Sequence, residues 1–135
     1  MSGFKSTYTC NKVLDLIFGG QGWTPPATLY CALFTVMPNA AGAGATEVTG
    51  GSYARVAVTN NLTNFPAAGS AQKQNGALID FGTPSAAWGT VVGAGWYDAS
   101  TGGNLIEAGP LSTSRVVGSG VPFSIPIGGF VATEA

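Results

Sequence analysis

The sequence predicts a mainly β protein: one antiparallel β-sandwich or jelly-roll-like domain with a short N-terminal α-helix. Three observations carry that expectation. Glycine and proline recur throughout, 21 and 8 of them in 135 residues, so helical periods have little room to develop. Short apolar or alternating runs fall between those breaks. The runs succeed one another without helical segments between them, which argues against alternating β and α units and a parallel sheet. No repeat or linker divides the chain, so residues 1–27 read as a helical segment with a proline-rich turn and residues 28–135 as the sandwich.

The elements follow in order. Residues 6–18, "STYTCNKVLDLIF", place Cys10, Val13, Leu14, Ile17 and Phe18 at helical spacing, and Gly19-Gly20 suits a left-handed cap. "GWTPPAT", which carries Trp23, ends the helix because a proline pair resists it. "TLYCALFTV" (28–36) is apolar on both alternating faces, the mark of a central strand covered on each side. The small-residue stretch 37–51, with Asn39 near its start and Glu47 near its end, reads as a long loop and a candidate contact arm. Further strands are expected at 53–59, 77–81, 89–99, 104–109 and 121–133, with "DASTGGN" as a hairpin turn. Pro122 and Pro126 lie four apart in the last of these, so that strand is expected to pair on one side only, at an edge.

Charge sets the next limits. Five basic and six acidic residues make up 8% of the chain, against roughly 25% in ordinary domains, and such a neutral surface tends towards association. A net charge of −1 offers no clustered cations for a phosphate backbone, so nucleic acid is not an expected partner. No apolar run is long enough to span a membrane, and "KVLDLIFGG" lacks the length and cleavage motif of an export signal. Cys10 and Cys31 do not make a disulfide framework in a chain of this length and are expected as buried free thiols.

Chemistry is bounded mainly by absences. Without histidine there is no Ser-His-Asp or Cys-His arrangement and no commonest zinc ligand. The glycine strings lack the lysine and hydroxyl of a phosphate loop. Two carboxylates flanking a sugar bond are the remaining enzymatic route, with Asp80, Asp98 and Glu107 as candidates, but each also fits a structural place in a strand or turn. No metal or cofactor is expected. Trp23, Trp88, Trp96, Tyr30, Tyr53 and Tyr97 suit either a sugar-stacking platform or core and subunit packing. Trp88 and Trp96 are an even number of residues apart, which aims both at one face of an unbulged strand. In "GGSYARVAV", Tyr53, Arg55 and Ala57 would share one strand face, leaving Ala54, Val56 and Val58 inward. Arg55 then reaches either a neighbouring subunit or an intramolecular acid such as Glu47 or Asp80.

The blocks "LYCALFTV", "GGSYARV" and "GTVVGAGWYDASTGGNL" resemble a family of small tailed-bacteriophage virion proteins, described as tail fibre or capsid decoration (cement) proteins. The likeness runs from Leu29 to about Ile127, with the helix of residues 6–18 in the place of the family's amphipathic N-terminal segment. It implies a non-enzymatic structural protein of the virion, made in the host cytoplasm. The first expectation is a cement protein on the major capsid lattice, as a homotrimer; the alternative is a tail fibre or tail-tip subunit that contacts other virion proteins and host-surface sugar. Tyr53, Arg55, Asn39, Glu47, Trp23, Pro122 and Pro126 are the candidate interface residues.

Overall fold

A computed structural model describes residues 3–134; Met1, Ser2 and Ala135, the ends of the two expected segments, lie outside the described residues. The elements are β1 (Phe4–Lys5), α1 (Thr7–Ile17), β2 (Thr28–Val36), β3 (Thr46–Glu47), β4 (Val56–Thr59), β5 (Gln72–Gln74), β6 (Ile79–Asp80), β7 (Gly89–Tyr97), β8 (Leu105–Val117), β9 (Ser124–Ile125) and β10 (Val131–Thr133). Six strands form one antiparallel sheet in the order β1-β8-β7-β2-β3, with β4 also paired to β2. The second layer is two two-stranded ribbons, β5–β10 and β6–β9, in place of a continuous second sheet.

β2 is central because both its faces are apolar, and Cys31 to Phe34 have no exposed surface. Cys31 and Leu33 join Val91, Trp96 and Val117 against the ribbons, where Phe65, Ile79, Phe123, Ile125 and Phe130 close the larger core. Ala32 and Phe34 face the other way, onto Tyr97, Leu105 and Ala108, covered by Phe4, Met37 and Ala45. Gly95 stands opposite Ala32 on β7, and a Cβ there would lie 2.8 Å from the Phe34 ring. The missing side chain thus makes room for the Phe34 ring.

Several boundaries differ from expectation. The run 53–59 becomes strand only at Val56, the run 77–81 only at Ile79–Asp80, and the strand expected at 104–109 continues to Val117. Its extension is interrupted opposite Gly93 and Val91, where residues 111–114 bulge beyond Pro110. That same irregularity reverses the side-chain parity of β7: Val91 and Trp96 both reach the larger core although they are an odd number apart. Trp88 also reaches that core, from a position just before the strand, so strand parity is not what brings the two tryptophans together.

The C-terminal run 121–133 is split into β9 and β10, each paired on one side only, with Pro122 and Pro126 outside the strand residues. The split is built around Asn75, which is 1% exposed. Its amide donates to the carbonyls of Ala77 (2.8 Å) and Pro126 (2.9 Å) and accepts from the Phe130 N–H at 2.9 Å. One side chain therefore satisfies the backbone of the turn that breaks the strand. Asn75→Ala leaves the buried Phe130 N–H without its acceptor and removes a donor from the Ala77 and Pro126 carbonyls, and is expected to cost about 2–4 kcal/mol in urea unfolding, whereas the exposed Gln72→Ala should stay within about 0.5 kcal/mol.

Candidate functional site

The glycines at 50 and 51 turn the chain between β3 and β4 with φ of 73° and 57°, followed by Ser52 at 65°. Close approach fixes the second of them: a Cβ on Gly51 would lie 2.5 Å from the Ala86 carbonyl oxygen, and the Trp88 indole N–H donates to the Gly51 carbonyl at 3.0 Å. Tyr53 leaves this turn inward, edge-on to Trp88 at 5.5 Å and stacked on Phe81 at 6.3 Å. Its hydroxyl accepts from the Leu33 N–H at 3.0 Å and donates to Glu47 Oε2 at 2.7 Å.

Arg55 does not share an outward strand face with Tyr53. It precedes β4 and lies over the Tyr97 ring at 3.8 Å, with its side chain only 7% exposed. Nε and Nη2 grip the two Glu47 oxygens at 2.9 and 2.8 Å, and Nη1 donates to the carbonyls of Ala99 and Gly102, each at 2.8 Å. Of the two acids weighed as partners, Glu47 is the one bound; Asp80 instead accepts from Gly82 N–H. Burial works to raise the Glu47 pKa, but hydrogen bonds from Arg55 and Tyr53 and the guanidinium charge hold it below its ordinary value. Burial, reinforced by donation to Glu47, raises the Tyr53 hydroxyl. The arrangement holds its protons and has the character of a clamp.

The other expected interface residues are scattered. Asn39 closes the turn of residues 39–43, its Oδ1 accepting from Ala43 N–H, and the adjacent Ala40 carbonyl accepts from Thr7 at the start of α1. Trp23 lies half-buried after α1, and Pro122 and Pro126 flank β9. The candidate carboxylates are not gathered: Asp80 caps its own turn, Asp98 accepts from Asn104 in the β7–β8 hairpin, and Glu107 faces Trp96 across the strands. Among the described residues no group of three or more acids and cysteines could hold a metal. Both cysteines are free; Cys31 is buried, as expected, but Cys10 is only partly so.

Sequence reasoning missed the orientation of α1. Ser6 caps it, accepting from Thr9 N–H at 3.1 Å and donating to the Leu105 carbonyl, while the Thr9 hydroxyl donates to the Ile106 carbonyl at 2.8 Å. The helix is therefore docked on β8 through buried hydroxyls, and Thr9 is its one buried residue. Much of the apolar stripe points away: Leu14, Ile17 and Phe18 are 54%, 63% and 77% exposed, and Leu16 is exposed beside them. An apolar run left uncovered in this way is the usual sign of an interaction surface. No helix among the described residues is long and apolar enough to cross a membrane.

Residues 5–133 match the family described as Podophage GP4 fiber I protein gp80. The match takes in nearly the whole chain, which therefore belongs to this family of phage fibre proteins and is a component of the virion. No curated protein matches the chain.

Two outcomes are expected. Arg55→Met strands the Glu47 charge and uncovers Tyr97, and should cost about 2–4 kcal/mol by chemical unfolding, less than a fully buried pair because Glu47 is 25% exposed. Glu107 behaves oppositely to Glu47: burial pushes its carboxyl up to about 7, with Lys5 lowering it and Glu134 raising it. The folded state then binds the proton more tightly than the unfolded one, so stability falls as pH rises from about 4.5 to about 7. Allowing for solvent at this partly exposed group, the loss is on the order of 1 kcal/mol, and Glu107→Gln should abolish that slope in unfolding measured across the range.

Proposed function

We propose that this member of the fibre family is a non-enzymatic structural subunit of a podophage fibre, which joins a trimeric assembly or a neighbouring virion protein through the outward apolar side of α1. The observation that carries this reading is the inverted amphipathy of that helix. Hydroxyl groups hold it to the sheet, while the side chains that ordinarily bury a helix face solvent. Trp23, which follows the helix, belongs to the same proposed surface. Tyr53, Glu47 and Arg55 are turned onto their own chain and serve the subunit's integrity. The chain's low charge fits assembly by apolar contact, since a neutral surface is cheap to desolvate.

Capsid decoration, the other role suggested by the low charge and small-residue loops, differs in stoichiometry. It requires hundreds of copies per particle, whereas a fibre component is present in a dozen or so. Quantitative mass spectrometry of purified virions is expected to give the lower count. Virions made with the Leu14→Ser/Ile17→Ser/Phe18→Ser variant should lack the protein, although the variant unfolds like the wild type because these side chains are exposed. Light scattering at micromolar concentration should give a trimer for the wild type and a monomer for the variant. Incorporation of the variant at the wild-type level would overturn the assignment of α1.

A further inference from the structure

The tip of α1 offers an aromatic ring with a carboxylate beside it. Phe18, the most exposed side chain of the stripe, stands at the end of the last turn, where its N–H donates to the Leu14 carbonyl at 2.7 Å. Gln21 N–H donates to the Asp15 carbonyl at 3.0 Å, so Asp15 and Phe18 belong to one closed turn. Residues three apart are neighbours on a helix surface.

Between the β5–β10 ribbon and the large sheet lies an open cavity of about 230 Å³. Leu29, Phe65, Trp96 and Phe130 give it apolar walls, and Lys73 of β5 stands in its lining. Phe65 and Phe130 meet the Trp96 ring edge-on at 5.3 and 5.4 Å, so these walls hold one another in place. An apolar cavity of about 150 Å³ is already enough for a benzene ring. One phenyl side chain therefore fits, and because Phe18 is exposed in its own subunit, a ring that enters comes from another chain.

Charge selects the occupant. Lys5 pairs with Glu134 and Arg55 with Glu47; Asp80 and Asp98 accept hydrogen bonds within their own turns; Lys12 and Arg115 lie over the rings of Tyr8 and Phe123. Glu107, which also lines the cavity, has Lys5 opposite it across β1 and β8. Among the described residues this leaves Asp15 and Lys73 as the acid and the base whose charged groups have no partner. The acid lies beside the protruding ring and the base in the wall of the cavity. An aromatic knob with an adjacent carboxylate, the guest that this lining suits, is carried by every other copy of the chain.

We propose that the tip of α1 inserts Phe18 into this cavity of a second copy of the chain, with Asp15 of one subunit against Lys73 of the next. The contact presupposes the reading of α1 as an assembly surface and names the surface it meets. Knob and hole are different patches, so the contact runs head to tail and closes into a ring, not a twofold dimer.

The test uses the full chain in solution. Sedimentation equilibrium of the wild type should give the ring, and Phe18→Ala should weaken association roughly tenfold or more. Asp15→Lys or Lys73→Glu brings like charges together and should weaken it by a similar factor, whereas the double reversal should restore association to within about threefold of the wild type. Isotope-filtered NMR on a mixture of labelled and unlabelled chain should connect the Phe18 ring to the methyl groups of Leu29 and Ala132 in the cavity lining. Circular dichroism and unfolding midpoints establish that the variants fold; Asp15 and Phe18 are exposed, so should Lys73→Glu fail to fold, Asp15→Lys and the NMR contacts decide. The proposal is overturned if Phe18→Ala dissociates the ring while the charge reversals do not, or if Phe18 contacts residues outside the cavity; α1 then remains the assembly surface but meets another part of the subunit. A wild type that is a twofold dimer, or still a monomer at millimolar concentration, also overturns it. In the monomer case, loss of the three-serine variant from virions would keep the α1 reading and assign its partner to a different virion protein.

Discussion

The fold depends on how one edge of its central strand is completed. β2 has β7 along one side, but on the other side two short strands share the edge, β4 against residues 28–31 and β3 against residues 34–36. Between them Leu33 would be left with unpaired backbone groups in the middle of the core. Its carbonyl accepts from Val48 N–H at 3.0 Å, and its N–H donates to the Tyr53 hydroxyl. Tyr53 passes the connection to Glu47, Glu47 to Arg55, and Arg55 to the carbonyls of the β7–β8 hairpin. A break in strand pairing is thereby closed by the Val48 N–H and the Tyr53 hydroxyl, and Glu47 and Arg55 tie that hydroxyl to the hairpin beside it.

Such a network is costly to assemble, since taking a guanidinium and a carboxylate out of water offsets much of their attraction. Its return is specificity. Arg55 has five N–H donors in a fixed plane; four hydrogen bonds and the face of Tyr97 occupy it. In a chain with 8% charged residues few other carboxylates compete for that cation. The turn at Gly50-Gly51 and the hairpin at residues 98–104 are far apart in sequence, and a single rigid group sets their relation.

What the sequence discloses follows from length and locality. β2 and β7 are nine residues each, long enough for their apolar patterns to identify them, and the α1 stripe and its glycine ending mark a helix of the right extent. β1, β3, β6 and β9 have two residues each, too few to show alternation; tertiary partners create them, as when Phe4 and Lys5 pair with Ala108 and Glu107. The Arg55–Glu47 pair spans eight residues and was among the alternatives that the residues allowed. The carbonyls of Ala99 and Gly102 lie 44 and 47 residues away and carry no side-chain signal at all. The meeting of Trp96 with Glu107 depends on strand register, which shifts beside that pair and leaves no mark in composition.

The helix illustrates why periodicity gives an element without giving its direction. An apolar stripe ordinarily turns inward because burying it outweighs the alternatives. Here the N-terminal turn is anchored: Ser6 and Thr9 satisfy backbone carbonyls of β8, and the chain enters α1 directly from its pairing in β1. With that end fixed, the later turns carry Leu14, Ile17 and Phe18 outward, where intramolecular packing does not cover them. The polar anchor and the apolar stripe thus lie at opposite ends of one short helix. The first holds the helix to the sheet, and the second is left exposed. Because the Arg55 network lies elsewhere, on β2 and its neighbours, substitutions in the stripe can alter association while leaving the core interlock intact. Stability and the proposed assembly surface are thus carried by different side chains of different chemical classes, far enough apart for their substitutions to act independently.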